Sequence, residues 1–243
     1  GEENVAAFIA EPIQGAGGVI VPPETYWPEI QRICDAYEIL LIADEVICGF
    51  GRTGNLFGSE TLNISPDIMT IAKGLSSGYA PIGGSLVSDE VADVINSSGE
   101  FSHGYTYSGH PLGCAVASKV LDIYVRDRLF EHAATLGAYM SKRLDEFSDH
   151  PLVGEVSAMG LLGALELVAN KDSKQPFEGM RVAQFCAKAA EDNGLIIRPL
   201  GGNRMALCPP LIIQEAHVDE IMDKLSRALD STLDFVTAEG LTV

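Results

Sequence analysis

Short apolar runs alternate with helical patterns through the first half of the sequence, and this alternation constrains the fold more than any other feature. The runs that predict strands cover residues 5–10, 39–43, 67–72 and 82–87. Residues 26–37 and 89–96 carry helical periodicity. Strand, helix, strand order of this kind is typical of an α/β sheet with parallel crossovers and strands buried on both faces.

Helical patterns dominate the second half of the chain. Helices are predicted over residues 110–125, 129–147, 179–193 and 214–235, and short strands over 195–198 and 205–207. Residues 153–168 are strand-like with internal glycines, as in a hairpin. Gly194 is expected to end the helix predicted over residues 179–193. We therefore predict a sheet domain over residues 1–125 and a smaller α+β domain over residues 126–243.

The chain is strongly acidic, with 16 Lys and Arg against 34 Asp and Glu and a net charge of −18. Such a surface repels phosphate backbones and anionic lipid head groups, so we expect neither a nucleic-acid nor a membrane partner. No uncharged stretch approaches the roughly 20 apolar residues that span a bilayer, and we predict a cytoplasmic protein. The five widely spaced cysteines are expected to be buried, reduced thiols rather than disulfides or metal ligands.

An acid and a lysine follow two of the predicted strands. Asp44 comes directly after one strand, where open α/β sheets bind ligands, although a helix cap or a loop contact would also explain it. Lys73 ends another strand, where its ammonium group would lose hydration unless it turned out to solvent. Together the two match the needs of pyridoxal phosphate (PLP), because an acid keeps the pyridine nitrogen protonated and a lysine forms a Schiff base.

Four longer motifs carry a resemblance to a known family. They read A-E-P-I-Q-G-A-G-G at 10–18, I-A-D-E-V-I-C-G-F-G-R-T-G at 42–54, P-D-I-M-T-I-A-K-G-L-S-S-G-Y-A-P-I-G-G at 66–84, and H-G-Y-T-Y-S-G-H-P-L-G-C-A at 103–115. In this order they resemble the class III aminotransferases. The resemblance implies PLP-dependent transferase fold type I (aspartate aminotransferase-like), with residues 1–125 as the second part of the PLP-binding large domain and residues 126–243 as the C-terminal small domain.

The resemblance also implies roles for single residues. Lys73 would form the Schiff base with PLP and shuttle a proton during the reaction, and Asp44 would pair with the pyridine nitrogen. Val46 would pack on one face of the ring, a role compatible with an ordinary core valine. Thr106 would bind the cofactor phosphate, usually that of the neighbouring subunit in a homodimer; a helix cap is its other interpretation. Glu11 would lie near the substrate.

The substrate prediction depends on one arginine. In relatives that resemble ornithine aminotransferases, an arginine binds the substrate carboxylate, and the matching position here is Ala206. Arg198 and the L-C-P-P segment at 207–210 instead resemble ω-amine:pyruvate aminotransferases, although Arg198 could also be a surface residue. Arg204 is interpreted as a turn residue. We predict ping-pong transfer of an amino group from an amine or ω-amino acid to a keto acid, pyruvate being the expected one.

Other functions stay open at this point. The same scaffold supports aminomutases, decarboxylases and racemases, and a catalytically incomplete chain could act only within an assembly. The chain has no initiator methionine and opens on a strand, and the family's phosphate-binding loop and ring-stacking aromatic would precede it. We therefore expect a chain that lacks the N-terminal part of a longer enzyme. No metal site is predicted, and His103, His110 and Arg52 are expected to be structural.

Overall fold

The computed structural model describes residues 1–241. The chain divides into two compact units, each with its own sheet. The first unit comprises Gly1–Ile13 and Pro22–Phe130. The second unit comprises Gln14–Val21 and the described chain from Glu131 onward. The domain boundary near residue 126 stays a prediction, and the short Gln14–Val21 segment was not expected to join the second unit.

The first unit holds a four-stranded sheet in the order β1-β2-β3-β4. The strands are β1 (Ala7–Ala10), β2 (Leu40–Asp44), β3 (Ile68–Ile71) and β4 (Gly84–Val87). The helices are α1 (Tyr26–Tyr37), α2 (Gly58–Thr61), α3 (Asp89–Ser97) and α4 (Pro111–Arg126). Strands β1, β2 and β3 run parallel, which confirms the α/β prediction for this part of the sheet.

Strand β4 departs from the prediction, because it pairs with β3 in the antiparallel direction. A parallel connection usually needs a crossover helix. The link between Ile71 and Gly84 instead carries one 3-10 turn, Lys73–Leu75. The expected burial of the strands is wrong at the edges of the sheet as well. Ile9 on β1 is 58% exposed and every residue of β4 is exposed, since an edge strand has a neighbour on one side only.

Strand β2 is covered on one face by α1. Trp27, Cys34, Leu41 and Ile64 form the buried cluster between them. The indole of Trp27 donates a hydrogen bond to the carbonyl of Pro12 at 3.0 Å, which satisfies its polar group in this apolar site. This packing fixes the direction of β2 and hence the position of its carboxyl end.

The second unit is built on an antiparallel sheet. Its order is β5-β6-β9-β8, and β7 pairs with β6. The strands are β5 (Val153–Met159), β6 (Leu162–Asn170), β7 (Gln175–Pro176), β8 (Arg198–Leu200) and β9 (Arg204–Leu207), and the helices are α5 (Leu129–Asp145), α6 (Arg181–Asp192) and α7 (Glu215–Ala238). The predicted hairpin is confirmed, since β5 and β6 pair directly. The largest apolar core of the described chain lies among these helices and strands.

The strand expected over residues 195–198 begins later than predicted. The amides of Gly194 and Leu195 still donate to carbonyls of α6, at Glu191 and Ala190, so the chain leaves the helix only after them. Strand β8 therefore starts at Arg198. Pro199 is tolerated inside it because β8 is an edge strand.

Arg204 is not a turn residue, which corrects the sequence interpretation. It opens β9, and its guanidinium bonds Glu166 at 2.6 Å and Glu155 at 3.0 Å. The same group donates to the carbonyl of Gly18 at 3.2 Å. Arg204 thus ties the Gln14–Val21 segment to the sheet of its own unit.

The cysteine prediction is correct for three of the thiols. Cys34, Cys48 and Cys186 are buried, whereas Cys114 and Cys208 are exposed, and none of the five forms a disulfide within residues 1–241. Cys114 lies near the start of α4, and Cys208 directly follows β9. Within residues 1–241, no helix combines the length and the apolar character that a bilayer crossing requires.

Gly137 gives a test of the packing in the second unit. A Cβ atom at this position of α5 would lie 2.5 Å from the backbone of Gly160, at the turn between β5 and β6. We expect Gly137→Ala to lower the free energy of unfolding by about 1–3 kcal/mol, because backbone must move to admit the methyl group. Urea denaturation measures the change. Gly201→Ala is the matched control, since a Cβ there meets nothing within 4 Å; equal effects of the two variants would contradict the packing argument.

His150 gives a pH-dependent test in the same unit. Burial lowers the pKa of His150, with the charge of Lys171 acting in the same direction and Asp230 opposing both. The unfolded chain takes up this proton below roughly pH 6.5 while the folded state resists it, so the free energy of unfolding falls as the pH drops through that range.

The variant His150→Asn keeps an acceptor for the amide of Leu152, which now donates to the ring Nδ1 at 3.2 Å. It should lose less stability between pH 7 and pH 5 than the wild type in urea titrations at each pH. Parallel losses in the two proteins would show that His150 does not contribute to acid sensitivity.

Candidate active site

Asp44 lies at the carboxyl end of β2 and is half-buried. Its Oδ1 atom accepts two hydrogen bonds, from the Thr70 hydroxyl at 3.0 Å and from the Val46 amide at 3.1 Å. Thr70 is also the register partner of Asp44 on β3. The contact with Val46 bears out the interpretation of Asp44 as a loop-stabilising residue. The Oδ2 atom takes neither bond, so this local role leaves one oxygen for another partner.

Lys73 does not end a buried strand, which corrects the basis on which it was singled out. Strand β3 ends at Ile71, and Lys73 opens a 3-10 turn with its side chain exposed. Its φ of 41° lies in the left-handed region, which few residues with a Cβ adopt. Backbone in such a conformation persists where surrounding contacts hold it and is concentrated at functional sites.

The turn of Lys73 is held by a dense set of hydrogen bonds. The amides of Leu75, Ser76 and Ser77 donate to the carbonyls of Ala72, Lys73 and Gly74, respectively, at 2.9–3.2 Å. The hydroxyl of Ser76, which is 2% exposed, donates to the carbonyl of Ala80 at 2.6 Å. The lysine therefore projects from a fixed turn and not from a free loop.

Glu45 is a site residue that the sequence analysis did not single out. It is fully buried, directly beside Asp44. Its two carboxylate oxygens accept bonds from the backbone amides of Gly58 at 2.9 Å and Ser59 at 2.6 Å, and its own amide donates to the Thr70 carbonyl. The adjacent acid in D-E-V was the only available signal, and it does not reveal which acid turns inward.

Negative charge is concentrated around the end of β2. The pKa of the Cys48 thiol is raised to about 12, chiefly by burial and further by the nearby carboxylates of Glu45, Glu11 and Asp44. The thiol donates to the carbonyl of Ile13 at 3.5 Å. Cys48 is therefore a protonated core residue at neutral pH, and Glu11 belongs to the same acidic neighbourhood as Asp44.

Val46 contacts Asp44 directly, whereas Thr106 lies in a separate turn. Val46 is half-buried, and its amide bonds Asp44. Thr106 lies in an exposed turn before α4, and no hydrogen bond or ion pair described for residues 1–241 joins it to Asp44 or Lys73. The interpretation of Thr106 as a helix cap is wrong, because the cap residue of α4 is His110.

The turn that carries Thr106 is rich in exposed aromatic side chains. Tyr105 and Tyr107 are each 78% exposed, and Phe101 is 64% exposed. His103 makes edge contacts with the rings of Phe101 and Tyr105, at centroid distances of 6.0 Å and 5.3 Å. Exposed rings therefore flank Thr106 on both sides along the chain.

Arg198 lies in the second unit, as the first residue of β8, and is exposed. Its register partner across the antiparallel ladder is Ala206 on β9. Directly opposed side chains of such a pair project from the same face of a sheet. Arg198 therefore presents a guanidinium on the face to which Ala206 belongs, one strand away.

Comparisons with known proteins agree on one family. The family model described as "Aminotransferase class-III" matches residues 1–229. The putrescine–pyruvate aminotransferase of Pseudomonas aeruginosa is 52% identical over 98% of this chain and 52% of its own length. The gamma aminobutyrate transaminase 3, chloroplastic, of Solanum lycopersicum is 47% identical over 96% of this chain and 45% of its own length.

Solved structures give the same result. The omega transaminase from Pseudomonas jessenii, solved in complex with PMP, superposes with a TM-score of 0.92 at 48% identity, covering 98% of this chain and 53% of that one. A transaminase from ancestral reconstruction reaches a TM-score of 0.95 at 46% identity, covering 97% of this chain and 53% of that one. This chain thus spans about half the length of the relatives it matches.

These matches confirm the fold and cofactor predictions for the family. The structural neighbours share PLP-dependent transferase fold type I, and class III aminotransferases depend on PLP. The family model covers far more than half of the sequence. The chain therefore belongs to the class III aminotransferases.

Proposed function

We propose that the protein carrying this chain is a PLP-dependent aminotransferase in which Lys73 binds the cofactor covalently. The observation that carries the proposal is the pairing of Asp44 with Thr70 in adjacent parallel strands. Lys73 follows Thr70 in the turn directly after β3, so the acid and the lysine belong to the carboxyl ends of neighbouring strands. Ligands of open α/β sheets bind at such strand ends.

The residues at this edge fit the cofactor by their chemistry. The Oδ2 atom of Asp44 takes neither of the two bonds that the carboxylate receives, and it is available to a protonated pyridine nitrogen. The exposed amine of Lys73 can reach an aldehyde from solvent. Val46 offers an apolar side chain beside Asp44 for the face of an aromatic ring.

When bound, PLP supplies an electron sink for the bond that breaks at the substrate carbon. Asp44 would keep the pyridine nitrogen protonated by its negative charge. Lys73 would move a proton between the substrate Cα and the cofactor C4′. The hydroxyl of Thr106 would donate a hydrogen bond to the cofactor phosphate. Glu11 would lie near the substrate.

The proposed donor is an amine or ω-amino acid, and the proposed acceptor is a keto acid, pyruvate in particular. The names of two relatives support this pairing, since one includes putrescine and pyruvate and the other gamma aminobutyrate. Arg198 would bind the acceptor carboxylate, because a guanidinium offers two parallel donors to its two oxygens. The position of Arg198 opposite Ala206 supports this role. Relatives that resemble ornithine aminotransferases are expected to carry their carboxylate-binding arginine at the position that matches Ala206.

We also propose that the protein is a cytoplasmic homodimer with shared active sites. The exposed aromatic rings of Phe101, Tyr105 and Tyr107 would be covered by a second subunit, which would bring its cofactor phosphate to Thr106. Five cysteines that form no disulfide within residues 1–241 fit a reducing compartment.

Lys73→Ala tests the covalent role. With PLP added, the wild type should gain a visible absorbance band, and borohydride reduction should leave a cofactor-sized mass increase on the Lys73 peptide. The variant should show neither, and its transamination rate should fall by at least roughly a hundredfold, because it loses the proton-transfer group. Lys119→Ala removes an exposed lysine of α4 and serves as the control.

A Lys73→Ala protein that keeps the band would contradict the assignment. In the wild type, release of a carbonyl product from the amine donor, followed by alanine formation from pyruvate, separates an aminotransferase from an aminomutase, a decarboxylase or a racemase. Each half-reaction can be followed separately because the chemistry is ping-pong.

Arg198→Met tests the acceptor site. We expect the KM for pyruvate to rise about 10- to 100-fold, as a charged hydrogen bond contributes about 1.5–3 kcal/mol. The rate of the half-reaction with a monoamine donor that carries no carboxylate should change little, because this donor does not need the arginine. Arg227→Met, which removes an exposed arginine of α7, is the control. An unchanged KM for pyruvate in Arg198→Met would show that Arg198 is a surface residue that does not bind the acceptor.

A further inference from the structure

Tyr124 contacts the turn of Lys73 from α4. Its side chain is buried, and its hydroxyl donates a hydrogen bond to the Gly74 carbonyl at 2.7 Å. The ring packs against Phe130 with a centroid distance of 5.7 Å. A buried tyrosine usually directs its hydroxyl to a partner, and here the partner is the residue directly after Lys73.

Gly74 is held from a second side by Phe50. A Cβ atom on Gly74 would lie 2.8 Å from Cβ and 3.1 Å from Cδ2 of Phe50, so the two residues are in close contact. Phe50 is itself buried. Gly74 therefore contacts both Phe50 and the hydroxyl of Tyr124, and neither contact depends on the side chain of Lys73.

The backbone on both sides of Gly74 is strained. Lys73 and Ser77 adopt φ values of 41° and 50°. A left-handed residue with a Cβ is destabilising and needs contacts that hold it. The Gly74 carbonyl supplies such contacts, since it accepts the Ser77 amide at 3.2 Å as well as the Tyr124 hydroxyl.

We propose that Tyr124 is a positioning residue for Lys73, whose hydroxyl fixes the Gly74 carbonyl and thereby the direction in which the turn presents the lysine. The inference rests on the proposed covalent role of Lys73. Tyr124 remains a donor across the physiological range, because burial raises the pKa of its phenol against the opposing effects of Ser77 and Arg52. Its effect on the reaction is exerted through backbone, since it reaches the turn and not the lysine amine.

Tyr124→Phe removes the hydroxyl and keeps the ring. In the purified protein we expect the visible band with PLP to form roughly 10-fold more slowly, as expected for the loss of one hydrogen bond. The borohydride-trapped mass on the Lys73 peptide should fall in proportion at a fixed time. Amide hydrogen exchange at Ser76 and Ser77 should become faster. The kcat should fall while the KM for the amine donor stays the same, because the substrate contacts are untouched.

Tyr139→Phe is the matched control. Its hydroxyl also makes a 2.7 Å hydrogen bond, to Asp219 in the second unit. We expect the control to leave the rate of Lys73 labelling unchanged. Replacing Tyr124 with 4-aminophenylalanine, which retains a donor on the ring, should restore labelling towards the wild-type rate.

Several results would overturn the inference. A folded Tyr124→Phe protein with wild-type labelling and exchange would show that the hydroxyl does not position the turn. A Tyr124→Phe protein that fails to fold, or a 4-aminophenylalanine variant that folds but labels slowly, would show a general structural role instead. A wild-type band that survives Lys73→Ala would refute the proposed function itself, and that outcome is distinct from a neutral Tyr124→Phe.

Discussion

The candidate site depends on the parallel register of β2 and β3. This register sets Asp44 opposite Thr70, and the 3.0 Å bond between their side chains joins the ends of the two strands. A slip of one residue would turn Asp44 to the other face of the sheet and separate it from Thr70. The packing of Trp27 and Leu41 between α1 and β2 opposes such a slip. The apolar core of the first unit thus helps to determine the position of the strand ends that carry Asp44 and Thr70.

The same edge buries the carboxylate of Glu45, which no ion pair described for residues 1–241 includes. Glu45 obtains its two hydrogen bonds from the amides of Gly58 and Ser59, which hold both carboxylate oxygens. Such bonds offset the loss of hydration, which otherwise makes a buried charge costly. They also bind the loop after β2 to the chain around α2. Glu45 can therefore stabilise the loop that begins at Asp44 while Asp44 keeps an oxygen for a ligand.

The sequence predicted the features that depend on residues close together along the chain. Helix α1 begins and ends at the predicted residues, because its apolar face and the proline in its first turn are local signals. The direction of β4 was mispredicted, since it depends on the connection before it and not on the composition of the strand. The buried partners of Glu45 lie thirteen and fourteen residues along the chain, where no periodicity reveals them. Arg204 was misread for the same reason, as its two carboxylate partners lie on other strands.

Lys73 lies on a turn, and this position determines which contacts set the direction of its side chain. A residue inside a strand has its direction fixed by the ladder on both sides, whereas Lys73 lies beyond the last paired residue of β3. Its direction therefore depends on contacts to the following residues, and those contacts meet at the Gly74 carbonyl. Left-handed backbone at Lys73 costs stability and is held in place by packing around it. Under the proposed function, an exposed Lys73 reaches an aldehyde and still has a defined direction, because the constraint acts on its backbone and leaves its side chain free.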